Sequence, residues 1–154
     1  MEENNSVTSF KVGGEYFAFE TDAVRHILEN VEPTPVPLTK NFVRGIINNH
    51  GNMIPVIDFR VLIGKESCDT LPEQCIVVVG IASEKGAEEM VGFKVDEMDD
   101  VFEYDKADYS TEVVIDIDVK VQRALAGTIK KLDADGNPCF VYKIKTQEVA
   151  KALE

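Results

Sequence analysis

The sequence lacks the features that mark a secreted, membrane-spanning or metal-stapled protein. Its three cysteines, Cys68, Cys75 and Cys139, include no C-x-x-C pair, which argues against both a disulfide framework and a zinc site. No apolar run approaches the roughly 20 residues of a membrane-spanning helix. The N-terminus, MEENNSVTSF, has neither the basic region nor the apolar core of a signal peptide. We therefore expect a soluble, cytoplasmic protein with reduced cysteines and no direct insertion into a membrane.

Groups that could carry catalysis are also scarce. The chain contains only two histidines, His26 and His50, and histidine is the commonest general base. Glycine-rich nucleotide loops, the H-E-x-x-H zinc motif and the G-x-S-x-G nucleophile motif are absent from the sequence. The sequence therefore predicts a protein that is not an enzyme and that uses no cofactor and no metal.

One enzymatic alternative stays open at the acidic residues Asp96, Glu97, Asp99 and Asp100. Paired carboxylates can perform acid-base chemistry. In a chain whose formal net charge is -12, such a cluster more often forms the solvated side of a strand and turn. The same charge, spread along the whole chain, repels phosphate backbones and anionic lipid headgroups. Nucleic acid is therefore not expected as a partner.

The order of strands and turns predicts a mainly β protein. A Gly13-Gly14 pair divides residues 10–19 into a hairpin, because glycine reaches the positive φ of tight turns. A second hairpin covers residues 45–57, where Pro55 indicates an edge strand or a bulge. Residues 75–81 form a β-branched, buried strand whose partner is residues 90–95. Residues 127–132 and 139–144 form the last hairpin.

Short helices are predicted between these strands. Val24, Ile27 and Leu28 have the spacing of one apolar helical face. Asp58 can cap a helical turn over residues 59–63 that Gly64 would end. Further short helices are expected at residues 121–125 and 146–153, the latter with Thr146 as its cap. At 154 residues the chain fits a single domain over 1–154, with a changeover between two halves in the polar stretch near 65–75.

Residues 45–59 carry a specific resemblance. They read G-I-I-N-N-H-G-N-M-I-P-V-I-D-F, which resembles the signature of the CheW-like family, approximately G-x-x-N-L-R-G-x-I-x-P-V-x-D-L. The first hairpin, the Pro35 and Pro37 run and residues 91–101 also resemble family elements, so the similarity covers nearly the whole chain. It implies a CheW-like fold of two small five-stranded SH3-like β-barrel subdomains with short helices and a shared hydrophobic core.

The resemblance also implies a function. Members of this family are scaffolds that couple the cytoplasmic tips of chemoreceptors to the regulatory domain of a CheA-type histidine kinase in bacterial chemotaxis. Hairpin and subdomain surfaces are then recognition faces, with a groove between the halves for the helical hairpin of the receptor. The residues expected to bind protein are Val24, His26, Ile27, Asn49, His50, Gly51, Met98 and Val101.

Two departures from the family pattern concern the histidines. Where the family has Leu-Arg before the turn glycine, this chain has Asn49-His50, and where it has V-x-E-I, this chain has His26 in place of the glutamate. If the family's glutamate and arginine form an ion pair, the resemblance predicts that His26 and His50 are close in space. The alternative is that both changes to histidine are neutral substitutions at exposed sites. Loss of the arginine also leaves open a divergent adaptor for another two-component pathway.

Overall fold

Two β-sheets account for most of the chain in the computed structural model, which describes residues 5–37, 39–82 and 86–153. The strands, in chain order, are β1 (Ser6–Val12), β2 (Glu15–Glu20), β3 (Val24–Glu29), β4 (Val43–Asn49), β5 (Asn52–Asp58), β6 (Cys75–Ala82), β7 (Glu88–Val95), β8 (Glu97–Glu103), β9 (Tyr109–Ser110), β10 (Leu125–Leu132) and β11 (Pro138–Ile144). The α-helices are α1 (Phe59–Leu62), α2 (Val119–Gln122) and α3 (Thr146–Ala152). Two 3-10 turns, Thr21–Ala23 and Lys106–Asp108, complete the regular structure of the described residues.

The strand order separates the chain into two sheets. One has six strands in the order β8-β1-β2-β11-β10-β9, and the other has five in the order β3-β6-β7-β5-β4. Neighbouring strands are antiparallel except for β11 with β2 and β5 with β7. The prediction of a mainly β chain is confirmed, and its strands form two sheets. One sheet has six strands rather than the expected five because the two-residue β9 pairs with β10.

The chain passes between the sheets at the Thr21–Ala23 turn and again at Asp96, between β7 and β8. The polar stretch near 65–75, where a changeover was expected, instead connects α1 to β6, so the strands on both sides of it belong to the five-stranded sheet. The changeovers therefore fall at short connections, which carry no polar linker signal.

A single aromatic core joins the sheets. Phe19 on β2 and Phe93 on β7 have ring centroids 5.4 Å apart, and Phe59 on α1 contacts Phe93 at 6.0 Å and Phe10 at 5.3 Å. All four side chains are fully buried. Each such burial contributes roughly 1.5–3 kcal/mol, so the contact between the sheets stabilises the fold as a whole.

The prediction of a helix through Val24, Ile27 and Leu28 is wrong, because these residues belong to strand β3. The strand pairs antiparallel with β6, from Val24 opposite Val79 to Glu29 opposite Cys75, with a bulge after Val24. Hydrogen bonding to a buried partner strand overrides a local spacing of one turn, and β-branched residues fit that pleated surface well. The apparent helical face is divided, since Ile27 is 44% exposed.

Two smaller predictions are also corrected, the first in part. β5 is an internal strand between β7 and β4 rather than an edge strand, but the expected bulge occurs in its pairing with β4, opposite Val56 and Ile57. Pairing with β7 begins only at Val56, so Pro55 precedes the parallel ladder and disturbs little of it. Thr146 is the first residue of α3 rather than its cap, a position that Lys145 occupies. The Thr146 hydroxyl has no hydrogen-bond partner among the described residues.

The remaining elements agree with the sequence. The three predicted hairpins and the β6–β7 pair are present, and Asp58 caps α1 with Gly64 in a positive-φ conformation after it. The helix expected near 121–125 is α2, which ends before Leu125 begins β10. These elements depend on local turn and cap chemistry, which a sequence displays directly.

Candidate protein-docking surfaces

Strand β3 is the first edge of the five-stranded sheet and carries three of the predicted binding residues. Val24 is half-buried and packs against the main core, whereas His26 is exposed and Ile27 is 44% exposed. Arg25, also exposed, donates to the Glu88 carboxylate on β7, and these hydrogen bonds lower the pKa of Glu88. The edge therefore combines a structural residue at its start with an exposed apolar and basic surface beyond it.

The turn between β4 and β5 presents the second group. His50 has φ +54° and Gly51 has φ +86°, and Asn49 pairs with Asn52 across the turn. Two consecutive positive φ values are those of a type I′ hairpin, which fits the twist of the strands. The Asn48 Oδ1 accepts from the Gly51 N–H at 3.0 Å. The turn thus holds an exposed imidazole at its tip.

The predicted proximity of His26 and His50 stays a prediction. His26 lies on β3, and His50 directly follows β4; these two strands are the first and last of the sheet order. A single antiparallel bridge between Thr34, which follows β3, and Ile46 on β4 joins the two ends. The bridge brings the segment that follows β3 next to the middle of β4. This arrangement is compatible with the predicted proximity of the two imidazoles.

The remaining predicted residues lie on β8, the edge of the six-stranded sheet. Met98 pairs with Phe10 and packs against the main core, while Val101 pairs with Thr8 and is 59% exposed. Val24 and Met98 therefore contact one hydrophobic core from two different sheets. Among the predicted binding residues, Ile27 and Val101 are the apolar ones whose side chains are exposed to a partner.

The acidic residues after β7 are in part solvated, as expected: Asp99 and Asp100 are exposed, whereas Asp96 is half-buried and paired. Asp96 Oδ2 accepts from Arg60 Nη1 at 2.5 Å and from the Gly13 N–H at 2.8 Å. Asp99 Oδ2 accepts from the Ser9 hydroxyl at 2.7 Å and from Lys131 at 3.2 Å. These contacts connect β8 and the residue before it to β1, α1 and β10.

A buried carboxylate network is the feature that the sequence did not indicate. Asp58 is 2% exposed and accepts from the Arg60 and Val61 N–H groups and, at 2.7 Å, from the Ser67 hydroxyl. Arg44 Nη1 lies 3.9 Å from Asp58 and donates to Ser67 at 3.1 Å. The carboxylate that caps α1 therefore also helps to hold Arg44 in place.

On its outer side the same network reaches an exposed loop. Arg44 Nη2 donates to Asp69 Oδ1 at 2.6 Å, and Lys94 on β7 donates to the same oxygen. The hydrogen bonds from Lys94 and Arg44 lower the pKa of the Asp69 carboxyl. Arg44, Asp58 and Lys94 lie in or near the segments that carry the resemblance, but Ser67 and Asp69 come from an irregular loop without a motif.

The described part of the chain shows neither a metal-binding cluster nor a membrane-spanning helix. Within residues 5–37, 39–82 and 86–153, no three His, Cys, Asp or Glu side chains are placed to share a metal ion. None of the helices in those ranges combines the length and the apolar character needed to cross a bilayer.

Comparison with known proteins now identifies the family. The CheW-like domain family matches residues 6–146, and the chain belongs to this family. Proteins named chemotaxis protein CheW are similar in sequence: 34% identity to that of Thermotoga maritima over 90 residues, 58% of this chain and 56% of that protein; 30% to that of Rhizobium meliloti over 93 residues, 60% and 57%; and 27% to that of Bacillus subtilis over 117 residues, 74% and 72%.

A solved structure supports the fold. The crystal structure of scaffolding protein TtCheW from Thermoanaerobacter tengcongensis aligns with a TM-score of 0.76 at 24% identity, covering 94% of this chain and 86% of that one. The chain spans slightly more than half the length of the Thermotoga and Rhizobium relatives it matches. Family and fold are therefore established, and the partners are inferred below.

Proposed function

We propose that this protein is a non-enzymatic scaffold that couples chemoreceptors to a CheA-type histidine kinase in the bacterial cytoplasm. The observation that carries the proposal is the match of the CheW-like domain family to residues 6–146. The names of the similar proteins, chemotaxis protein CheW and scaffolding protein TtCheW, point in the same direction. A scaffold needs exposed recognition surfaces on a rigid frame, and the aromatic core between the sheets supplies such a frame.

The kinase regulatory domain is assigned to the five-stranded sheet. Its β3 edge offers Ile27 with exposed His26 beside it, and the β4–β5 hairpin of the same sheet offers His50 and the 64% exposed Met53. Exposed apolar side chains surrounded by polar groups are typical of protein interfaces. The turn geometry fixes the hairpin tip, so little conformational entropy is lost when a partner binds.

The receptor tip is assigned to the side on which β8 lies. Val101 is exposed on this edge strand, and Met98 anchors the strand to the core that both sheets share. An amphipathic helix of a receptor can lay an apolar stripe against such a surface. Two separate faces would allow one molecule to hold both partners at once, which is the requirement for coupling.

The test is a co-sedimentation experiment with three components. Membrane vesicles containing a chemoreceptor from the same genome are mixed with the cognate CheA-type kinase, with and without this chain, and pelleted. The proposal expects kinase in the pellet only when this chain is present. Retention of the chain on the vesicles without recruitment of the kinase would contradict a coupling role.

Two variants separate the faces. Ile27→Asp is expected to keep the chain on the vesicles and lose the kinase, whereas Val101→Asp is expected to lose the vesicles. Both side chains are exposed, so neither change removes core packing. Val119→Asp, at a 55% exposed position on α2, is the matched control and is expected to leave both interactions unchanged.

A further inference from the structure

A groove lies at one end of the five-stranded sheet, separate from the hairpin tip. Its volume is about 910 Å³. One wall is formed by the segment after β3, with Val31 and Pro33, and the other by the loop before β6, with Leu71 and Pro72. Lys94 and Arg44 also line it. Two carboxylates, Glu32 and Asp69, line it as well. The groove therefore combines apolar side chains with two cations and two carboxylates.

The walls are held in place by the rest of the fold. The Thr34 N–H donates to the Ile46 carbonyl at 2.9 Å, and the Ile46 N–H donates back to Thr34 at 2.9 Å. Proline on both walls limits backbone freedom further. Val31 is 41% and Leu71 is 37% exposed, so both apolar side chains remain available. A groove of this kind requires little rearrangement to receive an extended chain.

Arg44 is held in position by residues that do not line the groove. Its Nη1 atom is held by Ser67 at 3.1 Å and lies 3.9 Å from buried Asp58. Its Nη2 atom donates to Asp69, which also lines the groove. The guanidinium would therefore keep an outward-facing donor if the Asp69 side chain turned away.

Asp69 occupies the position that a ligand carboxylate would take. Lys94 and Arg44 both donate to its Oδ1 atom, yet the Asp69 side chain is 57% exposed, compared with 16% for Lys94 and 31% for Arg44. An ion pair with so exposed a carboxylate contributes little to stability. The cations are thus built into the sheet, and their counter-ion is an easily displaced side chain of a loop.

We propose that this groove binds an extended partner segment that carries an acidic side chain next to an apolar one, and that the acidic side chain replaces Asp69 between Arg44 and Lys94. The apolar neighbour packs against Val31 and Leu71. Asp69 then acts as an internal competitor that sets the affinity of the groove. This inference does not rest on the coupling role, because it concerns a different surface and a different kind of ligand.

The test uses the full chain, labelled with ¹⁵N, and a blocked peptide of sequence G-L-E-L-G, with G-L-Q-L-G as its uncharged analogue. Amide shifts at Val31 and Leu71 and the side-chain shift of Arg44 report on the groove. The Asp69→Asn variant is expected to bind the acidic peptide about fivefold more tightly than the unchanged chain, since removal of an exposed competing ion pair frees that much affinity. Asp105→Asn, an exposed position outside the groove, is the control and is expected to change nothing.

Addition of Lys94→Gln to Asp69→Asn is expected to reverse the gain. Equal binding of the acidic and the uncharged peptide, or the absence of groove shifts with the Asp69→Asn variant at millimolar peptide, would overturn the inference. The comparison between the two peptides is made on one folded protein, so it stands even if a variant loses stability. Failure of kinase recruitment would leave this result unaffected.

Discussion

The carbonyl oxygen of Thr34 lies only 2.2 Å from the point that a Cβ atom on Gly45 would occupy. Gly45 itself has φ +145°, and the next residue, Ile46, forms both hydrogen bonds of the bridge to Thr34. Glycine at this position of the signature thus allows the segment after β3 to approach β4. The approach joins the two ends of the five-stranded sheet and fixes one wall of the groove.

Gly45→Ala is expected to lower the free energy of unfolding by at least about 2 kcal/mol, because a methyl group would meet backbone atoms and the φ angle is unfavourable for alanine. Urea denaturation measures the loss. Gly64→Ala is the matched control, since Gly64 also has a positive φ but has no atom within 4 Å of the added Cβ. Its expected cost is about 1 kcal/mol. Equal losses at the two positions would contradict the role of the Thr34 contact.

Asp58→Ala is expected to cost about 3 kcal/mol. The change removes the cap of α1, a carboxylate that is 2% exposed, and takes the acceptor from the Ser67 hydroxyl and from two N–H groups. Asp118→Ala removes the exposed cap of α2, which accepts from Lys120 alone, and is expected to cost about 1 kcal/mol. Thermal or urea unfolding of the two variants decides whether burial makes this difference.

His50→Asn is expected to stabilise the chain by about 0.5 kcal/mol, because asparagine tolerates the positive φ of a type I′ turn better than histidine does. His26→Asn, on the extended strand β3, is expected to give no gain, since asparagine is depleted in strands. Chemical denaturation of both variants provides the comparison. Destabilisation by His50→Asn would show that the imidazole makes a contact that compensates for its backbone conformation.

The cysteines are expected to react with iodoacetamide in a fixed order. A hydrogen bond with the Thr70 hydroxyl lowers the pKa of the Cys68 thiol, whereas burial raises the pKa of Cys75 to about 11. The thiolate is the reactive form, so at pH 8 Cys75 should be alkylated at least about tenfold more slowly than Cys68. Burial also raises the pKa of Cys139, which places it between them. Peptide mass spectrometry after timed quenching measures the order, and rapid labelling of Cys75 would contradict the buried position of β6.

Most of the fold could be predicted because its signals are local. Gly13 and Gly14 mark one hairpin, Gly51 marks another, and Asp58 with Gly64 delimits α1. Strand β3 could not be predicted in this way, since its partner β6 lies about fifty residues further along the chain. Only the completed sheet shows that Val24 and Val79 are paired.

The candidate docking surfaces could be predicted in part. The resemblance placed Ile27, His50 and Val101 on surfaces that are exposed, but it grouped them with Val24 and Met98, which pack against the core. Buried and exposed side chains alternate along a strand, and this alternation separates the two sets. The alternation in β3 was missed because a helix was predicted there. The contact of Asp69 with Arg44 and Lys94 could not be predicted, because Asp69 lies in an irregular loop that meets the two cations only in the folded sheet.

Calorimetric titration with the isolated regulatory domain of the CheA-type kinase from the same genome, near pH 7, tests the coupling account most directly. The account predicts micromolar or tighter binding for the unchanged chain and loss of that binding in the Ile27→Asp variant. Absence of binding by the unchanged chain would contradict the account, leave the fold as described, and assign the protein to an adaptor role with another partner.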